Sequence, residues 1–273
     1  MKLLGLGDSV VDCYIHTNTM YPGGNALNVA VFARRFGLEA AYLGYVGTDR
    51  AGDHILDTLR REMVDVSRVI RLQGPTWHAW VKLEQGDRVF MGSDRGVYRQ
   101  FALSEEDFTY INQFDVIHTS VFSQIEPYLP RLAEAPGLLS FDYSNRVEQA
   151  YIEQTARYLD VALFSHDGIS GDDLEGFMRS VAELGPEVVI VTMGEQGSVA
   201  LHDGRFFRQS AFLCEAVDTM GAGDSFIAMF LVCYAQGMSI PECLQRAARA
   251  SAQNCLVHGA FGYGIAMEEV DRG

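Results

Sequence analysis

An α/β fold with a mainly parallel central sheet is what this sequence predicts, and three observations carry the prediction. Short apolar runs of strand length alternate along the chain with stretches of helical period. The runs are apolar enough for strands covered by helices on both faces. No internal repeat, low-complexity tract or Pro/Ser-rich linker interrupts the 273 residues, so a single domain over residues 1–273 is expected.

The expected strands are Leu3–Leu6, Ala41–Val46, Val116–Thr119, Leu138–Phe141, Val161–Phe164 and Val188–Thr192. Helical patterns lie between them near 26–36, 50–62, 104–113, 124–134, 148–157 and 170–184, the alternation of βαβ units. Two helix-rich segments close the chain, near 222–236 and 240–257. The second opens with Ser239-Ile240-Pro241-Glu242, a capping box with proline in the first turn. Gly259 is read as its stop. One region breaks the rhythm. Trp77 to Leu83 and Arg88 to Met91 are β-rich runs around a turn containing Gly86, which reads as a hairpin. Lacking a helical crossover, it is expected to stand apart from the parallel sheet as a lid. The alternative is an antiparallel extension of that sheet's edge.

A formal net charge of -15 argues against a nucleic-acid partner, because phosphate backbones select basic surfaces. It does not exclude a nucleotide, whose few charges are met locally by backbone N–H groups and a metal ion. The longest strongly apolar run, Phe226 to Ala235, is too short for a bilayer, which takes about 20 residues. No signal-peptide pattern opens the sequence, and the five cysteines are scattered without a C-x-x-C pair. A cytoplasmic location with reduced thiols is expected.

Four segments carry chemistry. In Asp218-Thr219-Met220-Gly221-Ala222-Gly223-Asp224, a Gly-Ala-Gly turn opens a helix and leaves backbone N–H groups for an anion. Asp224 falls in the first helical turn, where the dipole favours the ionised form. A carboxylate beside a transferring phosphoryl group can take the proton of an attacking hydroxyl. The structural alternative is a tight turn whose acid merely complements the dipole. In Pro22-Gly23-Gly24-Asn25-Ala26-Leu27-Asn28, the glycines permit close approach, and the Asn28 amide suits a sugar diol. Helix capping by Asn25 is the competing reading. Gly7-Asp8-Ser9-Val10-Val11-Asp12 ends the first strand, where ligands gather in open α/β sheets; Asp12 can accept from substrate hydroxyls. Gly5-Leu6-Gly7 starts a dinucleotide fingerprint but lacks its third glycine, and no Walker A run is present. Thr192-Met193-Gly194-Glu195-Gln196-Gly197 is a strand end with a Gly-rich turn, either a nucleotide contact or a simple hairpin turn.

Taken in order, these segments resemble the ribokinase/PfkB family of carbohydrate kinases. Pro22–Asn28 looks like its N-terminal signature, Gly47-Thr48-Asp49-Arg50-Ala51-Gly52 its G-x-D-x-x-G step, Thr192–Gly197 its nucleotide turn and Asp218–Asp224 its C-terminal signature. The resemblance implies a ribokinase-like three-layer fold with a small β lid from segments near 10–20 and 74–98. It implies Asp224 as catalytic base, with Gly221, Ala222 and Gly223 as the anion hole. Asp8, Asp12, Gly24, Asn28 and Arg88 would hold the substrate. Thr192, Gly194, Gly197 and Thr219 would line the nucleotide site. ATP and Mg2+ are the implied cofactors, with a monovalent cation as a further one, and a homodimer through the lid is the implied assembly.

Three stretches depart from the family pattern. Ser144 stands where D-x-N-x-R has Asn, Ser165-His166-Asp167-Gly168 replaces N-x-x-E, and Met63-Val64-Asp65 replaces Gly-Val-Asp. The first two help order magnesium in relatives, so no metal ligand is assigned. Asp87-Arg88-Val89-Phe90, Phe101–Asp107 and Phe141-Asp142-Tyr143-Ser144 are similar to members that phosphorylate the 6-hydroxyl of a fructosamine such as fructoselysine. Acidic side chains including Asp8 would then welcome a substrate amine. The alternatives are a kinase for another hexose derivative or nucleoside, and a catalytically weakened sugar-binding sensor on the same fold.

Overall fold

The computed structural model describes residues 1–84 and 87–268, with the backbone alone at 83, 84, 87, 88, 99 and 100. The first strand, β1 (Lys2–Gly7), lies inside a large sheet. The chain leaves it for β2 (Val10–Tyr14) and β3 (Thr19–Gly23) and returns through α1 (Asn25–Arg35) to β4 (Glu39–Gly47). Next come α2 (Arg50–Arg61) and the edge strand β5 (Ile70–Leu72), then β6 (His78–Glu84) and β7 (Asp87–Asp94). Strict alternation follows: α3 (Glu105–Ile111), β8 (Val116–Ser120), α4 (Leu129–Leu132), β9 (Leu138–Asp142), α5 (Gln149–Thr155), β10 (Val161–Ser165), α6 (Gly171–Ala182) and β11 (Val188–Thr192). The hairpin β12 (Ser198–His202) and β13 (Arg205–Gln209) precedes α7 (Ala222–Ala235), α8 (Ile240–Asn254) and β14 (Ile265–Ala266).

The large sheet runs β13-β12-β11-β10-β9-β8-β1-β4-β5, parallel from β11 to β5. Alternate side chains sort onto two faces, as the two-residue period of a strand requires. Leu3, Val116, Val188 and Ile190 pack on the α1, α7 and α8 side, while Leu4, Ile117, Val189 and Val191 pack on the other. The result is three layers. The second sheet, β14-β3-β2-β6-β7, contains the expected hairpin and is separate from the first. The edge-extension alternative is therefore excluded.

Two expectations need correction. The 124–134 helix is broken into a 3-10 turn (Glu126–Tyr128) and the four-residue α4. Pro127 and Pro130 each lack the N–H a longer helix would use. Gly259 is not the stop of α8, which ends at Asn254 with Cys255 as its C-cap. The capping box at its start is present, with Ser239 N and Oγ donating to Glu242 Oε2 at 3.2 and 2.6 Å.

Candidate active site

Parallel strands present their carboxyl ends along one edge. There β8 ends at Ser120, β9 at Asp142, β10 at Ser165 and β11 at Thr192, with Ser120 opposite Asp142 and Ser165 opposite Thr192. Asp142 and Thr192 lie two strands apart, so about 10 Å separates their main chains. A nucleotide's phosphate chain can bridge such a span.

At this edge α7 begins. Its N-cap, Gly221, has φ of 74°, and a Cβ there would stand 2.7 Å from Ala260 Cα. Glycine is required on both counts. The N–H of Ala222 returns to Thr219 O at 3.2 Å. Among the described residues no acceptor is found for the N–H of Gly221 or Gly223, and Gly223 has open space where a side chain would be. The loop before the helix is braced from three sides. Buried Asp218 accepts from Met220 N (2.9 Å), Tyr14 Oη (2.7 Å) and Gly259 N (2.8 Å). Asn254 Nδ2 donates to Met220 O at 2.9 Å.

The start of α1 faces this turn. Asp8 is buried and accepts from Asn25 N (2.6 Å), Ala26 N (3.4 Å), Ser120 Oγ (2.9 Å) and Ser123 Oγ (2.7 Å). It therefore anchors the helix N-terminus, its oxygens accepting from the main chain of α1 and from two serines. Gly24 is the N-cap, close-packed where a Cβ would meet Asp8 O and Ser9 Cα at 2.7 Å. Asn25 is not a cap. Its Nδ2 donates to Asp142 Oδ2 at 2.8 Å and to Asp224 Oδ1 at 2.7 Å. Asn28 Nδ2 donates to Asp224 Oδ2 at 2.6 Å, and buried Asn28 Oδ1 has no partner among the described residues. Burial pushes the Asp142 carboxyl up to about 7, against the N–H of Ser144, and the charges of Asp224 and Asp8 add to the rise.

Asp224, Asn28 and the Gly221–Gly223 turn are thus brought together. Asp12 is buried on β2, its carboxylate filling the room that Gly23 leaves without a Cβ. It shares a face of β2 with Tyr14, which reaches Asp218. Thr192 Oγ1 donates to Phe164 O at 3.2 Å, and Gly194 (φ 54°) and Gly197 (φ 93°) form the tight turn into β12. Thr219 is half-buried at the anion turn. The side chain of Arg88 lies outside the described residues.

Sequence reasoning missed Asn25 as a bridge, Asp142 as the second carboxylate, and His118, Tyr14 and Asn254 as supports. His118 had a legible signal: a polar residue inside an apolar strand run. The departures also acquire a geometry. Met63 (φ 57°) and Ser144 (φ 54°) hold left-handed backbone where the family pattern has Gly and Asn, the residues that tolerate it best.

Residues 4–262 match the pfkB family of carbohydrate kinases. Fructosamine kinase FrlD of Bacillus subtilis (strain 168) is 39% identical over 279 aligned residues, covering 100% of this chain and 97% of that protein. Fructoselysine 6-kinase of Escherichia coli (strain K12) is 37% identical over 262 residues, covering 96% and 100%. The structure of Arabidopsis thaliana ribokinase complexed with ribose and ATP superposes with a TM-score of 0.80 at 20% identity, covering 95% of this chain and 94% of that one.

Proposed function

The chain belongs to the pfkB family of carbohydrate kinases, and on that premise we propose that it transfers the γ-phosphoryl group of ATP to the 6-hydroxyl of a fructosamine such as fructoselysine. One observation carries the chemistry: the Asp224 carboxylate stands in the first turn of α7, beside backbone N–H groups for which no acceptor is found among the described residues. In the proposed step Asp224 takes the hydroxyl proton as the sugar oxygen bonds to the γ-phosphorus. The bond from that phosphorus to the β–γ bridging oxygen breaks, and ADP leaves. The N–H groups of Gly221 and Gly223 stabilise charge on the transferring group, while Ala222 stays in its turn. Asn28 holds the sugar, with Asp12 on the facing sheet. The turn at Thr192, Gly194 and Gly197 and the residue Thr219 line the nucleotide.

Magnesium enters with the nucleotide. Among the described residues no group of three His, Cys, Asp or Glu side chains is arranged to hold a metal, which fits an ion held chiefly by the phosphates it neutralises. The second sheet serves as the lid over the sugar. Exposed Phe90 and Met91 on β7 support its pairing with a second copy of the chain. No helix among the described residues is long and apolar enough to cross a membrane, and use of ATP fits a cytoplasmic enzyme.

The amine preference is supported by the named activities of the two relatives. ADP release measured with fructosamines, fructose, 2-keto-3-deoxygluconate and nucleosides tests it. The highest kcat/KM is expected on a fructosamine. Preference for fructose or a nucleoside rejects the substrate, and no turnover on any of them rejects the kinase assignment in favour of a sensor.

A further inference from the structure

Asp224 is not held by its own helix alone. Its two oxygens are taken by two amides from α1, Oδ1 by Asn25 at 2.7 Å and Oδ2 by Asn28 at 2.6 Å. The two amides differ in what stands behind them. Asn28 Oδ1 has no partner among the described residues, so nothing found there locks that amide against turning toward a substrate hydroxyl. Asn25 Oδ1 instead meets His118 Nε2 at 2.9 Å, and His118 Nδ1 meets Ser140 Oγ at 3.1 Å.

The donors in this chain follow from the chemistry. An amide oxygen only accepts, so His118 Nε2 carries the hydrogen, Nδ1 is bare and Ser140 Oγ–H donates to it. The ring is fully buried on β8, between α1 and β9. Burial pushes the imidazole down to about 3, so it stays neutral with one hydrogen at working pH. A single tautomer then fixes the Asn25 amide one way round. Its NH2 faces Asp142 Oδ2 and Asp224 Oδ1, the orientation in which the Asp224 carboxylate does not face an amide oxygen.

We propose that His118 and Asn25 are positioning residues for the phosphoryl transfer: His118 orients Asn25, Asn25 retains Asp224 Oδ1, and a substrate hydroxyl replaces Asn28 on Asp224 Oδ2, the oxygen that takes the proton. This rests on the reading of Asp224 as the base. It assigns distinct tasks to two asparagines three residues apart. Asn25 is static and sets the carboxylate's angle; Asn28 exchanges the base for the sugar.

The test uses the full chain with its best sugar substrate and MgATP. His118→Phe keeps a buried ring without the donor, and His118→Gln restores an N–H near the place of Nε2. His118→Phe is expected to lower kcat about 10- to 100-fold with KM for MgATP nearly unchanged, as for a group that aligns the reacting atoms only. His118→Gln is expected to recover most of that loss. Asn25→Ala is expected to lose kcat to a similar extent, and adding His118→Phe to it is expected to cost little more, because the histidine acts through the asparagine. A folded His118→Phe variant with parental kcat overturns the proposal, as does a Gln variant no better than Phe. Should His118→Phe fail to fold, the Gln variant in the parent and Asn25→Ala backgrounds decides: a further loss of kcat in the latter alone overturns it. Asp224→Asn, assayed alongside, separates the levels. If it retains turnover, the base assignment itself falls; if it alone is inactive, only the relay falls.

Discussion

Replacing Asp224 by asparagine separates the chemical role of the carboxylate from its structural one. The side chain accepts two amide N–H bonds, at 2.7 and 2.6 Å. Asparagine keeps one oxygen and turns an NH2 toward the other amide, so one bond to a charged acceptor is lost. That costs about 1.5–3 kcal/mol. Removing a negative neighbour of Asp142 offsets part of it, because the Asp224 charge helps raise that carboxyl. The folded state is therefore expected to survive with a thermal midpoint a few degrees lower. Turnover has no such compensation. Without a base the step is expected to slow by about 10²–10⁴, or roughly 3–5 kcal/mol of barrier. Coupled ADP release at saturating sugar measures kcat, and thermal unfolding measures the structural cost. A folded variant with kcat within about ten-fold of the parent would refute the base assignment.

Gly221→Ala forces a side chain into φ of 74° and against Ala260 Cα at 2.7 Å; a loss of about 2–4 kcal/mol in urea unfolding is expected, with kcat falling as the anion turn moves. Asp142 has a folded pKa of about 7 against an ordinary 3.8. A raised carboxyl stabilises the protein while protonated, so its contribution is full below the ordinary value and is lost as pH climbs through the folded one, by at most about 4 kcal/mol. Urea midpoints between pH 4 and 8 are expected to decline less steeply in Asp142→Asn, and an unchanged slope would contradict the assignment. Met63, exposed with φ of 57°, is expected to gain about 0.5–1 kcal/mol on replacement by glycine, read as a higher thermal midpoint with unaltered kcat.

Most of the layered fold was legible because its rules are local. Apolar runs of four to six residues marked the buried strands, and the Ser239–Glu242 box marked the start of α8. The broken helix at 124–134 shows the limit of periodicity, since Pro127 and Pro130 veto hydrogen bonds that the apolar spacing suggests. The candidate site was legible where one segment holds its parts together, as in Gly221–Asp224. At Asn25 the competing reading of a cap fails, because the side chain bridges two carboxylates instead. Asp8 was legible as an acid beside a ligand edge, but not the bonds its oxygens accept from the main chain of α1 and two serines.

By itself the sequence determined the α/β class, the phosphoryl-transfer signature and Asp224 as the group to watch, all written in short contiguous stretches. Only the tertiary structure decided what Asp224 touches. Asn25 and Asn28 stand 199 and 196 residues away along the chain from it, and His118 reaches Asn25 across 93. Those contacts exist because parallel strands with helical crossovers align distant carboxyl ends on one edge. Directional hydrogen bonds within about 3 Å depend on that alignment, and no local pattern in the residues encodes it.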